Sequence, residues 1–364
     1  MTEIKERRDR GQYRRGVAED LPNHSMFGDT AFRKVQKLRY GQNPPAYEGE
    51  GGAAIYEEFG ASGPSIATAQ KISGEKELSF NNILDGDAGL RLCLRLHHLF
   101  PSDCIAAVIK HTGPRGVARS NTMSGAHQLA YTANAISAFG GVNVYIGTVD
   151  SETARHIASY FNEVIIAPDY TEEAKSVLRA RKDLRVLRID INQEAGNCGI
   201  DERSILGGKV AERRMISHID GWENFEKVSS GRDPTPDELD AALFNWPVAV
   251  FAKSNGISVG SQYRTYGIGS GQGSRVDSTW LALHYANNRC QGSNSRGALL
   301  ASDAFFPEPD SVRLAGEAGI SAIAFPLGSV KDEESLEMAG RYGIVMLCTR
   351  PIPGTKAIER GFNH

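Results

Sequence analysis

Short apolar runs separated by amphipathic stretches cover most of the chain from about residue 38 onward. The first of these, residues 103–110, is rich in Ile, Val and Ala and stops at a Gly/Pro break, which predicts a fully buried strand. Beyond it, segments of helical composition alternate with β-branched runs, and this alternation predicts α/β layers. The predicted helices span residues 126–136, 151–160 and 172–181, and the predicted strands span residues 142–146, 163–167 and 184–189.

A second α/β unit is predicted after residues 194–235, whose Gly, charged and turn residues indicate an elaborated connection. Pro234 is expected to start a helix, and residues 248–252 repeat the buried-strand pattern. AVIKHTG at 107–113 has a counterpart in AVFAKSNG at 249–256, and SAF at 137–139 has a looser one in DAF at 303–305. Chance could produce either match alone, but together they favour an internal duplication. The predicted organisation is an arm at 1–34, a first unit at 35–193, a connection at 194–235 and a second unit at 236–364.

Composition and charge exclude several classes of function. The 364 residues are 40% hydrophobic and 23% charged, as in globular proteins, and the net charge of -3 lacks the basic excess of a nucleic-acid binder. No apolar run approaches the roughly 18 residues of a membrane span, and no apolar segment follows the basic N-terminus, so we expect a cytoplasmic protein with no membrane partner. The five cysteines form no C-x-x-C motif, which argues against a disulfide framework and a zinc knuckle.

Lys110 and His111 stand where the strand predicted at 103–110 runs out into a Gly/Pro loop. Ligands bind at the carboxyl ends of strands in open α/β sheets, so this pair is a candidate for acid–base chemistry. A cation beside an imidazole favours the neutral ring, which can act as a base. Spacing alone favours the plainer alternative of a solvated lysine and a hydrogen-bonded loop histidine.

Four glycines alternate with other residues in YGIGSGQGSR at 266–275. Their backbone N–H groups could approach an anion or a flat ring, and Asp277 is expected to cap the helix that follows. Gln272 and Ser274 stand where a dinucleotide fingerprint needs its third glycine, and no lysine occupies a P-loop position. A tight strand-to-helix turn explains the glycines equally well.

Eleven ordered phrases go beyond spacing: LRYGQNP (38–44), KELSFNN (76–82), DGDA (85–88), AVIKH (107–111), GVA (116–118), SAFGG (137–141), EVIIAP (163–168), KSN (253–255), GIGSGQGSRVDS (267–278), SDAFFP (302–307) and RGFNH (360–364). The set closely resembles the formyltransferase half of the bifunctional enzyme AICAR transformylase and IMP cyclohydrolase, where AICAR is 5-aminoimidazole-4-carboxamide ribonucleotide. The resemblance covers residues 35–364.

The resemblance implies transfer of a formyl group from 10-formyltetrahydrofolate, as co-substrate, to the 5-amino group of AICAR, giving FAICAR in de novo purine biosynthesis. It also implies a fold of two tandem cytidine-deaminase-like α/β units, and a homodimer with active sites at the subunit interface. Only 34 residues precede Val35, below the roughly 40 of an independent core, so we expect a stand-alone transformylase without cyclohydrolase activity. No metal or nucleotide cofactor is expected.

The family's site residues carry over position by position. His111 is the candidate general base for the weakly nucleophilic AICAR amine, and Lys110 is the candidate for stabilising the tetrahedral oxyanion or protonating the departing folate nitrogen. Asn255 is expected to hold the carboxamide. The resemblance places seven residues around the nucleotide, with the first and last on its phosphate: Arg39, Tyr40, Gly140, Glu163, Arg275, Phe305 and Arg360. The folate-side positions are Val276, Asp310, Ser329 and Val330.

Three departures from the family pattern leave the Lys-His pair intact but bear on folate affinity. Pro45 and Ala46 stand where His and Gln usually follow Asn-Pro, Gly113 and Arg115 replace a common Asn and Cys, and the glycine loop opens from an unusual SVGSQYRTY at 258–266. Two alternatives stay open from the sequence. One is a non-catalytic AICAR-binding regulatory or partner subunit, and the other is FAICAR synthesis from free formate and ATP.

Overall fold

The computed structural model describes residues 21–27, 30–38, 42, 53–58, 63–191, 199–213, 217–351 and 358–361. The first described elements form a three-stranded antiparallel sheet, in which the second strand lies between the other two. These strands are β1 (His24–Phe27), β2 (Thr30–Leu38) and β3 (Ala53–Glu58). β1 and the start of β2 lie within residues 1–34, which the sequence predicted to be an arm.

A six-stranded mixed sheet follows, with helices on both faces. Its elements, with the short parallel pair β8 and β10 beside it, are β4 (Gln70–Ser73), α1 (Phe80–Leu99), β5 (Cys104–Lys110), β6 (Gly113–Ser120), α2 (Met123–Ala133), α3 (Ala135–Ala138), β7 (Val142–Ile146), β8 (Thr148–Val149), α4 (Ser151–Ala158), β9 (Val164–Ala167), β10 (Asp169–Tyr170), α5 (Glu172–Arg179) and β11 (Arg185–Arg188). The strand order is β4-β11-β9-β7-β5-β6. We refer to this part as the first unit.

A second six-stranded mixed sheet is built from the rest of the chain, after a projecting hairpin of β12 and β13. The elements are β12 (Ile200–Ile205), β13 (Gly208–Arg213), a 3₁₀ turn (Trp222–Asn224), β14 (Phe225–Lys227), α6 (Pro236–Phe251), β15 (Ile257–Gly260), β16 (Thr265–Gly269), α7 (Arg275–Asn288), β17 (Leu299–Ser302), α8 (Asp310–Glu317), β18 (Ala322–Phe325), α9 (Asp332–Tyr342) and β19 (Val345–Thr349). The strand order is β14-β19-β18-β17-β15-β16. We refer to this part as the second unit.

The two sheets match strand for strand. In the first unit, β5 runs antiparallel to both of its neighbours, β6 and β7. The strands β7, β9 and β11 are parallel to one another, and β4 pairs antiparallel with β11 at the edge of the sheet. In the second unit β15, β16, β17, β18, β19 and β14 repeat these directions in the same order. An identical order and direction of six strands supports the internal duplication that the sequence favoured.

Most of the predicted elements are confirmed with small shifts at their ends. The run at 103–110 is β5, in which Ala106 and Val108 face one core and Ala107 and Ile109 face the other, so both faces are buried. The predicted helices at 151–160 and 172–181 are α4 and α5, each begun by a side-chain cap. The strands predicted at 142–146, 163–167 and 184–189 are β7, β9 and β11.

The prediction of a strand at 248–252 is wrong, because these residues form the end of α6 and its C-cap. This helix packs against both units: Phe244 and Val248 join the core of the first unit, while Trp246 and Ala249 join that of the second. A helix buried on all sides shows no polar face, so its sequence looks like a buried strand. The similar segments 107–113 and 249–256 therefore have different structures, because the first contains the end of a strand and the second contains the end of a helix. They are not structurally equivalent.

Two further predictions change at the helix starts. The helix expected from Pro234 begins at Pro236, after the cap residue Thr235. The cap of α7 is Ser274, whose hydroxyl accepts a hydrogen bond from the Asp277 backbone N–H at 3.2 Å, so the expected Asp277 cap is wrong. The edge strand β14 lies inside the predicted connection, and the unit boundaries at 35, 194 and 236 stay predictions. In the described residues, no helix is both long and apolar enough to cross a membrane.

Candidate active site

The Lys110–His111 pair lies in a tight turn between β5 and β6. His111 and Thr112 both adopt the left-handed conformation, with φ of 56° and 59°. A carboxylate from α1 supports this turn, because the Thr112 backbone N–H donates to Asp85 Oδ1 at 2.5 Å. Burial raises the pKa of Asp85, and hydrogen bonds from the Thr112 and His111 backbone oppose that rise. His111 itself is exposed at the end of the turn.

Lys110 is held toward a neighbouring glycine turn. Its Nζ donates to the Phe139 carbonyl oxygen at 2.8 Å, and Arg115 Nη2 donates to the Lys110 carbonyl at 3.0 Å. The next residue, Gly140, has a φ of 71°, which glycine adopts without strain, and its N–H donates to the Phe161 carbonyl at 2.8 Å. The Lys110 ammonium therefore lies beside the turn that starts β7.

Glu163 lies next to this turn, at the start of β9, where its backbone N–H donates to the Gly141 carbonyl at 3.1 Å. Its Oε2 accepts from Asn82 Nδ2 at 2.8 Å and pairs with Arg185 Nη2 at 3.4 Å. Asn82 is fixed in turn, because its Oδ1 accepts from Arg185 Nη2 at 2.8 Å and from the Ser79 N–H of the α1 capping box. We call Lys110, His111, Gly140 and Glu163 the Lys–His edge.

The Lys–His edge lies at the carboxyl end of β5, as the sequence predicted. However, β5 runs antiparallel to β7, and Ile109 pairs with Val142. The edge is therefore at the amino ends of the parallel strands β7 and β9. The general rule on carboxyl ends therefore does not apply here through the parallel strands, because these end on the opposite side.

The second group of predicted residues forms a cavity of about 470 Å³ in the second unit. We call it the arginine pocket, and its lining residues are Asn255, Gly273, Ser274, Arg275, Ala304, Phe305, Pro307 and Arg360. Four of the predicted site residues are therefore brought together here, from the α6–β15 loop, the start of α7, the loop after β17 and the C-terminal segment.

Arg275 organises the base of the arginine pocket. It is 8% exposed and is the first residue of α7. Its Nη2 donates to Asn255 Oδ1 at 2.9 Å, and its Nη1 donates to Ser302 Oγ at 2.9 Å and to the fully buried carboxylate of Asp303. Asn255 Nδ2 donates to the Gln272 carbonyl at 2.9 Å, so the amide is held from both ends. These contacts preorganise an amide and a guanidinium at one wall of the cavity.

Arg360 reaches the arginine pocket from the C-terminal segment. Its guanidinium carbon lies 5.2 Å from the centre of the Phe305 ring, within the range of a cation–π contact. Gly328 lies against both, since a Cβ at this position would come within 2.8 Å of Arg360 Nη2. The RGFNH phrase at the C-terminus thus begins with a side chain that lines the cavity.

The predicted folate-side residues surround this same part of the second unit. Val276 and Asp310 lie in the first turns of α7 and α8, and Ser329 and Val330 precede α9. Lys331 Nζ pairs with Glu308 at 2.7 Å and so joins the loop before α8 to the loop before α9. Val330 is fully exposed.

The remaining predicted site residues, Arg39 and Tyr40, lie outside the described residues, as do Pro45 and Ala46. Among the residues the structure describes, no cluster of three or more His, Cys, Asp or Glu could hold a metal ion. Sequence reasoning missed the supporting residues Asp85, Asn82 and Asp303. The phrases KELSFNN, DGDA and SDAFFP contain these three residues, but no role was assigned to them.

The Lys–His edge and the arginine pocket face the same side of the molecule. The edge strands β6 and β16 meet in an antiparallel bridge at Ala118 and Arg264, and Val117 N–H donates to Thr265 Oγ1 at 3.0 Å. The start of β6 and the end of β16 therefore lie on the same side of this junction. Within the described parts of the chain, no hydrogen bond or ion pair joins the two groups, and the Lys–His edge contributes no residue to the cavity lining.

The chain is similar in sequence to one family of known proteins. Residues 11–285 match the family model described as the AICARFT/IMPCHase bienzyme. The chain is 39% identical over 341 residues to the bifunctional purine biosynthesis protein PurH of Listeria monocytogenes serotype 4b (strain CLIP80459), which covers 92% of this chain and 62% of that protein. PurH of Sorangium cellulosum is 39% identical over 90% of this chain and 60% of its own length, and PurH of Aquifex aeolicus is 38% identical over 87% and 59%.

The chain thus spans about three fifths of the length of the curated relatives it matches. A family model that matches residues 11–285 includes the Lys–His edge, Asn255 and Arg275. On these matches, the chain belongs to the AICARFT/IMPCHase bienzyme family.

Proposed function

We propose that this chain is an AICAR formyltransferase that uses 10-formyltetrahydrofolate as its formyl donor and produces FAICAR for purine biosynthesis. The observation that carries the proposal is the pairing of two prepared sites on one side of the molecule. One site presents an exposed histidine beside a lysine, and the other presents an amide, two arginines and an aromatic ring. The first suits proton transfer and the second suits an anionic heterocycle.

In the proposed reaction, the AICAR amine attacks the formyl carbon and His111 takes the proton that the amine loses. The bond between the formyl carbon and the folate N10 then breaks, and N10 receives a proton as tetrahydrofolate leaves. The Lys110 ammonium, positioned by the Phe139 carbonyl at 2.8 Å, is suited to stabilise the oxyanion or to supply that proton.

The arginine pocket is proposed to hold the nucleotide. Arg275 Nη2 donates to Asn255 Oδ1 at 2.9 Å, and the two side chains present a guanidinium and an amide that suit the carboxamide of AICAR. Phe305 offers an aromatic face, and Arg360 can engage the dianionic phosphate through two parallel hydrogen bonds. Arg39 and Tyr40 are proposed to assist at the phosphate, and Gly140 and Glu163 at the side nearer the base. Folate is proposed to contact Val276, Asp310, Ser329 and Val330.

The active site is proposed to be completed by a second copy of the chain in a homodimer. The arginine pocket of one chain contains Asn255 and Arg275 but no base, while the exposed His111 lies outside its lining. A second copy could bring a Lys–His edge to each pocket. The same proposal includes a cytidine-deaminase-like fold for each unit, a cytoplasmic location, no metal requirement and no cyclohydrolase activity in residues 1–364.

An assay with purified protein tests this function. The protein is incubated with AICAR and either 10-formyltetrahydrofolate or formate plus ATP, and FAICAR and IMP are measured by chromatography. We expect FAICAR with the folate donor alone, and no IMP. Binding of AICAR without FAICAR from either donor would favour a non-catalytic subunit, and FAICAR from formate and ATP would contradict the folate donor. IMP that tracks the protein through purification would contradict the claim about cyclohydrolase activity.

A further inference from the structure

The segment that carries Arg360 has a buried acidic side chain next to the arginine. Residues 358–361 return to the second unit, where Ile358 bridges Pro351 and the Gly361 N–H donates to the Asp303 carbonyl at 2.8 Å. Glu359 is only 1% exposed, whereas its neighbour Arg360 is exposed toward the cavity. The two neighbouring side chains therefore face different environments, Glu359 the protein interior and Arg360 the cavity.

The Glu359 carboxylate accepts three hydrogen bonds from the body of the protein. Its Oε1 accepts from Ser217 Oγ at 2.7 Å and from the indole N–H of Trp246 at 2.8 Å, and its Oε2 accepts from the His218 backbone N–H. Trp246 belongs to the central helix α6 and is fully buried. The carboxylate is therefore attached to two separate segments, neither of which is adjacent to it in sequence.

The segment that holds Glu359 is itself fixed to the first unit. Arg95 of α1 donates to the Ile219 carbonyl and pairs with Asp220 at 2.8 Å. Contacts therefore run from α1 through residues 217–220 to Glu359, and from Glu359 to the arginine pocket. The placement of Arg360 consequently depends on packing between the two units.

The donor set around Glu359 requires a carboxylate. All three partners are N–H or O–H groups, and no lysine, arginine or histidine among the described residues forms an ion pair with Glu359. A glutamine would place an NH₂ group against either the Trp246 or the His218 N–H, because it has one acceptor oxygen rather than two. Two hydrogen-bond donors would then face each other in a buried site, and neither would have an acceptor.

We propose that Glu359 is a positioning residue for Arg360: its buried carboxylate fixes the C-terminal segment so that the guanidinium enters the arginine pocket. Its effect on ligand binding rests on the proposed function, in which Arg360 binds the phosphate of AICAR. The fixing of the segment itself does not depend on any ligand, so the two parts can be tested separately.

The first test measures backbone amide exchange in the free protein by mass spectrometry. The Gly361 amide should exchange at least about tenfold faster in Glu359→Gln than in the wild-type protein. The matched control is Glu238→Gln, which alters a buried glutamate held by Arg232 elsewhere in the same unit. A second route to the same result is Gly361→Ala, because a Cβ there would lie 2.8 Å from Asp303 Oδ2. Unchanged exchange at Gly361 in Glu359→Gln would overturn the proposal.

The second test is a double-mutant cycle on AICAR binding, measured by calorimetry against the dephosphorylated nucleoside. We expect Glu359→Gln and Arg360→Ala each to weaken nucleotide binding by about tenfold or more, with little effect on the nucleoside. The double variant should bind no more weakly than Arg360→Ala, because Glu359 acts through Arg360. Additive losses would overturn the positioning role. If the wild-type protein binds no AICAR, the proposed function fails, and faster exchange at Gly361 would still support the fixed segment.

Discussion

The two units have the same sheet but carry polar groups at opposite ends of it. The first residue of the helix after the β-hairpin is Met123 in the first unit and Arg275 in the second. The residue after the next strand is Gly147 in the first and Asp303 in the second. A Cβ at Gly147 would lie 2.8 Å from the Met123 Cε. The end that forms the arginine pocket in the second unit is thus filled by an apolar side chain in the first.

The reverse holds at the other end. Gly140 and Gly297 have φ values of 71° and 73°, and each donates its N–H to a corresponding carbonyl, at 2.8 and 2.7 Å. Around this shared backbone, the first unit presents Lys110 and Glu163, whereas Ser321 occupies the place of Glu163 in the second. A duplicated backbone therefore carries the proposed base in one copy and the proposed nucleotide-binding groups in the other. Each unit supplies half of the proposed chemistry.

The largest expected effect on stability comes from replacing Arg275, the first residue of α7, by the methionine that stands at the corresponding position of α2. Arg275→Met removes the partner of a fully buried carboxylate, so the free energy of unfolding should fall by about 3–5 kcal/mol, measured by guanidinium denaturation. Adding Asp303→Ala should recover much of the stability without restoring AICAR binding. Recovery of binding in the double variant would contradict the role of Arg275 in the arginine pocket.

Removing the proposed base should affect turnover more than binding. His111→Ala should lower turnover by at least roughly 10²-fold, the typical contribution of a general base, while AICAR affinity stays nearly unchanged. The matched control is Gln262→Ala, in the corresponding turn between β15 and β16, which should leave turnover unchanged. Steady-state kinetics of both variants gives the comparison, and full turnover by His111→Ala would exclude it as the base.

A buried histidine cluster distinguishes the helices of the first unit. His127 of α2 lies 2.7 Å from His156 Nδ1 and 2.8 Å from the Tyr145 hydroxyl, and burial, with a smaller effect of His156, lowers the pKa of His127 to about 3. The corresponding fifth residue of α7 is Thr279. The unfolded histidine titrates near 6.5, so the unfolded chain binds more protons than the folded chain between pH 6.5 and about 3. The free energy of unfolding therefore decreases as the pH is lowered across that range.

This contribution should be about 2 kcal/mol between pH 6.5 and pH 5. Denaturant unfolding at the two pH values should show a smaller loss in His127→Gln than in the wild-type protein. His218→Gln, which alters an exposed histidine side chain that forms no ion pair within the described residues, serves as the control. An equal loss in wild type and His127→Gln would mean that His127 is not held neutral in the folded state.

The sequence predicted elements well where one residue pattern determines one environment. The Ile- and Val-rich runs of β5 and β7 are buried on both faces and were located almost to the residue. The end of α6 was taken for a strand because contact with both units removes its polar face. The short edge strands β4 and β14 carry too few apolar residues to give a pattern.

The candidate site was predicted in the same uneven way. Lys110, His111, Asn255 and Arg275 were located from local phrases. Their supporting partners were not, because each contact joins distant parts of the chain: Asp85 lies 27 residues from Thr112, and Glu359 lies 113 residues from Trp246. No local pattern reports such a contact.

The most direct test of a site that takes the first unit of one chain and the second unit of another is complementation between inactive chains. His111→Ala and Asn255→Ala are each expected to be nearly inactive alone, and they are co-expressed with different tags so that the mixed species can be isolated. If each site takes its base from one chain and its nucleotide pocket from the other, a mixed dimer contains one intact site of two, and the isolated mixed dimer should show about half of wild-type turnover. No recovery in an isolated mixed dimer, or full wild-type activity in a monomer by sedimentation, would contradict the account.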